Sequence, residues 1–357
     1  MNIALVYKIV ASLFGSIFRI KSPLVLDDFE IESKVPDCIS LSSNKIAALQ
    51  IDVNALDITM SEDYSGLESD FVNDFFIHNN LWEQHTFCCT KLTDASNAKN
   101  AVYIPGNNDY FYNAEMARAL KRQGYNFYAI SFPHFGFASN VRDPEYSNFN
   151  DIGALFQYID IVVQHYNLDK IDILFGHSTG GLIATMYAEH KNKRSAFVGR
   201  LVLSSPFFDW YGDPNSFFLS EWFAVNVVAP LGLIFPRVNV KMSKGAPNLT
   251  SRCEFNERNF NPNYKSLTEI HTYPEWVRAV TVAQQRVQGG QVDVRCRADI
   301  FHSDKSVFWE YTETADNVLD VNDIKKYGAM ISSNVAFHEI ENSTHNCFSR
   351  IEIADYL

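Results

Sequence analysis

Residues 176–180, with the sequence Gly-His-Ser-Thr-Gly, hold a serine in a setting that could make it a nucleophile. The apolar run 170–175 before them predicts a buried strand, and residues 181–188 after them predict a helix with small residues for close packing. The glycines permit a strained turn between strand and helix, because a Cβ there would clash with neighbouring backbone. The pattern therefore predicts that Ser178 attacks a carbonyl carbon, provided that a base accepts its hydroxyl proton.

The predicted base is His345. In the α/β-hydrolases, which this strand–serine turn–helix pattern resembles, the chain order is serine, then an acid, then a histidine after the last strand. His345 lies just beyond the last predicted strand, which ends at Ile340. His338 lies within that strand, and we expect it to face packing or solvent.

Four aspartates are candidates for the acid that orients this base. Asp316 lies in a weakly polar loop between the strand ending near residue 301 and the last strand. Asp304 directly follows a predicted strand and could instead make a turn hydrogen bond. Asp320 precedes a predicted helix, where an N-cap is the simpler explanation, and Asp209 follows the strand predicted at residues 200–204. Loop placement favours Asp316 and keeps Asp304 as the alternative acid.

The tetrahedral intermediate of acyl transfer needs two hydrogen-bond donors for its negative oxygen. One predicted donor is the backbone N–H of Thr179, the residue after the nucleophile. The other is the backbone N–H of Asn107, because Gly106 before it permits a close backbone approach. Losing one such donor typically costs ~3 kcal/mol of transition-state stabilisation. His177 is expected to support the turn and not to act as a second base.

The elements that must position these residues alternate along the chain from residue 100. Predicted strands cover residues 101–104, 127–132, 200–204, 293–301 and 334–340, and predicted helices cover residues 114–123, 150–166 and 321–330. Strands separated by helices of this length imply right-handed crossovers and an α/β fold with a mostly parallel central sheet flanked by helices. Upstream, residues 82–90 alternate weakly and predict an edge strand.

Regular patterns stop between residue 205 and about residue 288, and the intervening stretch is rich in aromatic residues. An insertion at this point predicts an aromatic-rich cap over the site and an apolar substrate pocket. We therefore divide the chain into an apolar N-terminal segment (1–22), an extension with edge strands (23–95) and a catalytic domain (96–357) whose cap covers about 205–288.

The first twenty residues are mostly apolar but contain Lys8 and Arg19. They lack the basic start of a signal peptide and the continuous apolar run of a membrane span. We expect an amphipathic helix docked on the protein or on a membrane surface, with an export signal and a span as alternatives. This favours a cytoplasmic or peripheral membrane location and leaves export open.

Composition is that of a well-packed soluble enzyme. Hydrophobic residues make up 46% of the 357 positions, which suffices for a sizeable core. The net charge of −12 argues against a nucleic-acid partner and against simple attraction to anionic lipid. The six cysteines show no metal-ligand spacing, so we expect free thiols and no metal or organic cofactor. The oligomeric state stays open.

Several segments together resemble one group of enzymes. Residues 105–112, Pro-Gly-Asn-Asn-Asp-Tyr-Phe-Tyr, are similar to the His-Gly-Phe-Asn-Asp-Tyr-Phe-Phe segment of α/β-hydrolases grouped with the serine aminopeptidases and the monoacylglycerol lipase or lysophospholipase-like enzymes. Further similar segments are 177–182, 204–207, 315–321 and 344–346. The resemblance covers roughly residues 80–350 and implies the α/β-hydrolase fold, with Ser178, Asp316 and His345 as the catalytic triad.

The chain also departs from that group. Pro105 replaces the usual histidine before Gly106, Asn346 replaces the usual aspartate after the catalytic histidine, and the loop 131–139 lacks its usual opening aspartate. None of these positions belongs to the triad, although Pro105 borders the predicted oxyanion hole. The departures bear on rate and substrate more than on reaction class.

The sequence thus predicts a serine hydrolase that cleaves carboxylic esters through an acyl-enzyme. By family analogy, the aromatic cap and the apolar N-terminus favour an acylglycerol, lysophospholipid or similar acyl ester. An aminopeptidase is one alternative, in which Glu254 and Glu257 would hold the substrate amine. A non-catalytic binding protein of the same fold is another, suggested by the altered loop at Pro105.

Overall fold

The computed structural model describes residues 39–42, 70–79, 84–92, 99–212, 221–240, 247–257, 260–308 and 310–357. The apolar segment 1–22, with the predictions made for it, lies outside the described residues. No helix in the described part of the chain is long and apolar enough to cross a membrane. The five cysteines in this part are free thiols.

One nine-stranded sheet organises the molecule, in the order β1-β2-β3-β5-β4-β6-β7-β8-β9. In chain order the strands are Ile39–Ser42, Phe71–Asn79, Gln84–Leu92, Lys99–Ile104, Tyr125–Ser131, Ile173–His177, Arg200–Ser204, Arg297–Ser303 and Val335–Ile340. The pairs β1–β2, β2–β3 and β3–β5 are antiparallel, and the five remaining neighbouring pairs are parallel. The prediction of a mostly parallel sheet is therefore confirmed.

Helices cover both faces of this sheet. The α-helices of the described residues are Ala114–Arg122 (α1), Phe156–His165 (α2), Thr179–Asn192 (α3), Glu221–Phe223 (α4), Ala229–Leu231 (α5), Leu249–Glu257 (α6), Pro274–Gln288 (α7) and Val321–Gly328 (α8). A π-helical segment, Ala224–Val228, joins α4 to α5, and 3-10 turns occur at Gly136–Ala138, Gly153–Leu155, Cys347–Ser349 and Ile353–Tyr356. Successive residues of β4 enter two different hydrophobic clusters, one packed against α2, α3 and α7 and the other against α1.

Two predicted helices begin where polar side chains cap them. The Asn113 side chain accepts a hydrogen bond from the Met116 N–H at the start of α1, and Gly124, with φ +83°, follows its end. Asp320 accepts from the Asn322 N–H at the start of α8, which confirms its predicted role as an N-cap. The predicted helix 150–166 is shorter than expected, because a 3-10 turn precedes α2.

The strand predicted at residues 82–90 is not an edge strand. It corresponds to β3, which lies between β2 and β5 in the sheet. Phe87, Cys88 and Cys89 are consecutive and fully buried, so both faces of β3 are covered. This explains why its alternation is weak, since a strand buried on both faces has no polar side.

The last part of the predicted cap is a core helix. α7 occupies residues 274–288, and Val277, Val280, Ala283 and Val287 lie in the main hydrophobic cluster. Pro274 lies in its first turn, where a missing N–H costs nothing. The irregular part of the insertion therefore ends before Pro274.

Candidate active site

Ser178 lies on a strained turn between β6 and α3. Its backbone φ of 53° and ψ of −121° belong to a region that residues other than glycine rarely adopt. Added Cβ atoms would lie 2.6 Å from the Gly180 carbonyl oxygen at Gly176, and 2.3 Å from the Ile104 and Pro105 carbonyl oxygens at Gly180. Both glycines are therefore needed for the sharp turn and for its close approach to the end of β4.

Backbone hydrogen bonds hold this turn against the neighbouring strand. The Ser178 N–H donates to the Ser204 carbonyl at 2.9 Å, and the Ser178 carbonyl accepts from Phe207 N–H at 3.0 Å and Gly181 N–H at 2.9 Å. The end of β7 thus fixes the turn from outside. Because surrounding bonds over-determine it, the strained conformation can persist.

His345 and Asp316 form a buried pair after β9. The His345 Nδ1 lies 2.9 Å and 3.0 Å from the two carboxylate oxygens of Asp316. Asp316 also accepts from the backbone N–H groups of Val318 and Leu319, each at 2.9 Å. Burial raises the pKa of Asp316, but the nearby His345 and these hydrogen bonds outweigh it and lower the pKa below its ordinary value.

The ionised Asp316 fixes the proton of a neutral His345 on Nδ1, so that Nε2 is an acceptor. The His345 Nε2 is buried and has no hydrogen-bond partner among the described residues. The His177 ring, next to Ser178 in the chain, lies 5.0 Å from the His345 ring between centroids. No hydrogen bond joins Ser178 Oγ to His345 in the described structure, and such contacts commonly tighten only when substrate binds.

The other acid candidates are engaged elsewhere. The Asp304 carboxylate accepts from the Asn342 N–H at 2.8 Å, as expected of a turn aspartate. Asp209 accepts from the Gln288 side chain and from the Trp210 N–H, each at 2.9 Å. Among the candidates, the structure brings Asp316 to His345, whereas Asp304, Asp209 and Asp320 have other partners.

The two predicted oxyanion donors lie on touching segments. A Cβ added to Gly106 would meet the Ser178 Cβ at 3.1 Å and the His177 carbonyl oxygen at 3.2 Å. The backbone N–H groups of Asn107, after this glycine, and of Thr179, the first residue of α3, donate no hydrogen bond to the described residues. They are thus available to a ligand beside Ser178.

A buried charged cluster near Ser178 was not predicted. The Lys265 ammonium donates to one oxygen of Asp109 at 2.8 Å and also to Glu254. The other oxygen of Asp109 lies 3.2 Å from His177 Nδ1. The Tyr112 hydroxyl donates to Glu254 at 2.9 Å. The exposed fractions of Asp109, Glu254, Lys265 and His177 are 1%, 2%, 3% and 3%. Burial lowers the pKa of Lys265, but the two carboxylates outweigh it and raise the pKa above its ordinary value.

This cluster bears on the expectation that Glu254 could hold a substrate amine. One oxygen of its carboxylate already accepts hydrogen bonds from Lys265 and Tyr112. The ammonium of Lys265 therefore occupies the position where a substrate amine would bind. A sequence signal for the cluster did exist, because a lysine in an aromatic-rich insertion needs an acidic partner if it is buried.

Comparisons with known proteins bear on the fold that carries this site. A family model described as "alpha/beta hydrolase fold" matches residues 104–267. A search of curated proteins finds no significant match. The chain is similar to the solved monoacylglycerol lipase of Paleococcus ferrophilus, with 16% identity and a TM-score of 0.51 over 75% of this chain and 96% of that one.

Two further solved structures show the same similarity. A soluble variant of the monoglyceride lipase of Saccharomyces cerevisiae, in complex with a substrate analog, has 14% identity and a TM-score of 0.57 over 82% of this chain and 96% of that one. A putative hydrolase of Agrobacterium vitis S4 has 15% identity and a TM-score of 0.52 over 80% of this chain and 95% of that one. The chain therefore has the α/β-hydrolase fold, and the solved proteins of this fold that it resembles include two monoacylglycerol lipases.

Proposed function

We propose that the protein is a serine hydrolase of carboxylic esters. One observation carries the proposal: the His345–Asp316 pair leaves an unpartnered imidazole nitrogen on the side of the sheet where the strained turn presents Ser178. A serine, a histidine held by an ionised acid and two free backbone N–H groups are the parts that acyl transfer needs.

The reaction proceeds in two halves. His345 Nε2 accepts the Ser178 proton while Oγ attacks the ester carbonyl, and the N–H groups of Asn107 and Thr179 bind the oxyanion. His345 then gives the proton to the leaving alcohol, which leaves an acyl group on Ser178. Water, activated by the same histidine, releases the acid. Asp316 keeps His345 in the productive tautomer throughout.

An acyl ester with an apolar chain is the proposed substrate class. The insertion exposes consecutive apolar side chains, with Leu233 68%, Ile234 62% and Phe235 55% exposed. Elsewhere in residues 205–288, Phe207, Trp210 and Trp276 pack with ring centroids 4.9 to 6.4 Å apart. An apolar surface of this kind supports a substrate such as an acylglycerol or lysophospholipid. The aminopeptidase alternative is less well supported, because Lys265 neutralises Glu254.

The test is covalent labelling of the full chain with a fluorophosphonate, followed by peptide mapping. We expect labelling at Ser178 that is lost in Ser178→Ala and in His345→Ala. Ser205→Ala is the matched control, because Ser205 is also buried and also has a positive φ, 42°, yet it is expected to leave labelling intact. Folded protein that remains unlabelled would contradict the proposal and favour a binding protein.

Substrate class is measured separately with aryl esters of increasing acyl length and with amino-acid arylamides. We expect kcat/KM to rise from acetyl to longer acyl esters. A preference for acetyl esters would contradict the lipid assignment, and cleavage of arylamides alone would support the aminopeptidase.

A further inference from the structure

We propose that Lys265, Asp109 and His177 form a strut through which the insertion holds the oxyanion loop against the nucleophile turn. The strut is defined by these three side chains, and the oxyanion loop by residues 105–110. The inference rests on the proposed acyl transfer at Ser178 and assigns its three members as positioning residues for that reaction.

The strut crosses three parts of the chain. Lys265 belongs to the insertion and donates to one oxygen of Asp109 at 2.8 Å. The second oxygen of Asp109, in the oxyanion loop, lies 3.2 Å from Nδ1 of His177 in the nucleophile turn. All three side chains are buried, so no water competes for these contacts and each is stronger than it would be at the surface.

The position of the Asp109–His177 contact is what matters for catalysis. Asp109 lies two residues after Asn107, and His177 lies two residues before Thr179. The contact therefore ties together the two segments that carry the proposed oxyanion donors. Misplacement of a catalytic group by 1 Å can cost ~10²-fold in rate. A contact that fixes the distance between the two donor segments is therefore expected to affect kcat.

The insertion also forms hydrogen bonds with Asn108 and Tyr110, the residues on either side of Asp109 in the oxyanion loop. The Asn108 side chain donates to the Ser266 carbonyl at 3.0 Å and accepts from the Ser266 N–H at 2.8 Å. The Tyr110 hydroxyl accepts from the Asn261 N–H at 2.7 Å. Residues 261–266 thus support the oxyanion loop directly.

A purely stabilising role does not explain the strut well. Buried ion pairs often contribute no more to stability than apolar side chains of similar volume. Here two carboxylates share one ammonium, which is a costly arrangement in a core. The Nε2 of His177 is buried and has no hydrogen-bond partner among the described residues, so Asp109 is the side chain that orients this ring by a hydrogen bond.

The experiment compares Asp109→Asn with Glu254→Gln in the full chain. Both variants remove one carboxylate from the same buried cluster and leave Lys265 with the other, so they match in charge and in shape. Only Asp109 contacts His177. We expect Asp109→Asn to lower kcat about 30-fold or more with KM changed less than about 3-fold, and Glu254→Gln to keep kcat within about 3-fold.

Two further measurements separate positioning from folding. Rates are normalised to the fraction of sites that a fluorophosphonate labels, and unfolding is followed in urea for both variants. We expect Asp109→Asn to weaken binding of a boronic acid, which mimics the tetrahedral intermediate, by the same factor as kcat. Binding of a product fatty acid should stay within about 3-fold, since it makes no demand on the oxyanion donors.

Equal kcat values for the two variants at equal labelled fraction would overturn the inference and leave the proposed function intact. If Asp109→Asn does not fold, His177→Leu replaces it, because leucine has no donor for Asp109 and the variant leaves Lys265 with both carboxylates. Unchanged kcat in His177→Leu would likewise overturn the inference. Failure of the wild-type protein to label would instead overturn the proposed function.

Discussion

Two imidazole–carboxylate pairs lie side by side in this molecule, and they are supported in different ways. His345–Asp316 and His177–Asp109 are both buried, with nitrogen–oxygen distances of 2.9 and 3.2 Å. Asp316 is held by two backbone N–H groups of its own loop, whereas Asp109 is held by an ammonium 156 residues away in the sequence. The carboxylate of the first pair is thus held by its own loop, and that of the second by a side chain of the insertion.

This difference in support indicates that the two pairs have different functions. His345 and the backbone donors of the same loop lower the pKa of Asp316 and so keep it ionised, as a proton-transfer pair requires. A side-chain cation from the insertion makes the second pair sensitive to how that segment packs. We therefore expect proton transfer to depend on the first pair and oxyanion geometry on the second.

The largest expected effect separates the two histidines. His345→Gln should lower kcat by about 10⁵-fold, because the serine loses its base. His177→Gln should lower it by about 10²-fold at most, because only donor geometry changes. Steady-state turnover per folded protein measures both. Comparable losses in the two variants would remove the distinction between the pairs.

The next effect concerns the two carboxylates that compete for the role of acid. Asp316→Asn should lower kcat about 10⁴-fold, because the amide no longer enforces the productive tautomer of His345. Asp304→Asn is the control, since Asp304 contacts the Asn342 N–H, Ser303 and the ammonium of Lys305 but not His345. A loss of turnover in Asp304→Asn with activity retained in Asp316→Asn would reverse the assignment.

The sequence predicted the first pair and missed the second, for a physical reason. The positions of Asp316 and His345 follow from the alternation of strands and helices, because the carboxyl ends of parallel strands meet at one edge of the sheet. The Lys265–Asp109 contact depends on how an irregular insertion packs. Neither periodicity nor loop placement specifies such a long-range contact.

Strand β2 escaped prediction for a related reason. β2 contains Asn73 and Asp74 within an otherwise apolar run, which breaks the strand pattern. In the structure, Thr90 donates to Asn73 and Tyr166 donates to Asp74. The polar residues are thus satisfied by partners distant in sequence, and tertiary contacts override the local pattern.

A smaller effect, on stability, tests the dependence of the second pair on its cation. Lys265→Met should lower the free energy of unfolding by about 3 kcal/mol, because two buried carboxylates lose their shared ammonium. Lys305→Met is the control, because the Lys305 side chain is about half exposed and contacts Asp304 and Asn342 at the protein surface. It should change stability by less than about 0.5 kcal/mol. Equal urea midpoints for the two variants would mean that the buried cluster adapts without its cation.

The smallest expected effect comes from Asp209, which is half-buried, whereas Asp316 and Asp109 are fully buried. Burial, followed by repulsion from Glu221 and Asp323, raises the pKa of Asp209 from its ordinary value of 3.8 to about 7. The folded protein therefore binds a proton that the unfolded chain has released, so stability falls as the pH rises from 3.8 towards 7. Asp209→Asn keeps an acceptor for Gln288 and carries no charge.

The Asp209→Asn variant should consequently melt above the wild-type protein by about 2 °C at pH 8, with a smaller gain at pH 5. The melting temperatures of both proteins, measured by calorimetry at each pH, test this. A gain of the same size at both values would show that Asp209 does not titrate between them. A gain that grows with pH would instead show that the pKa of Asp209 is raised in the folded protein, in contrast to Asp316 and Asp109, whose pKa values are lowered by the charges and hydrogen bonds around them.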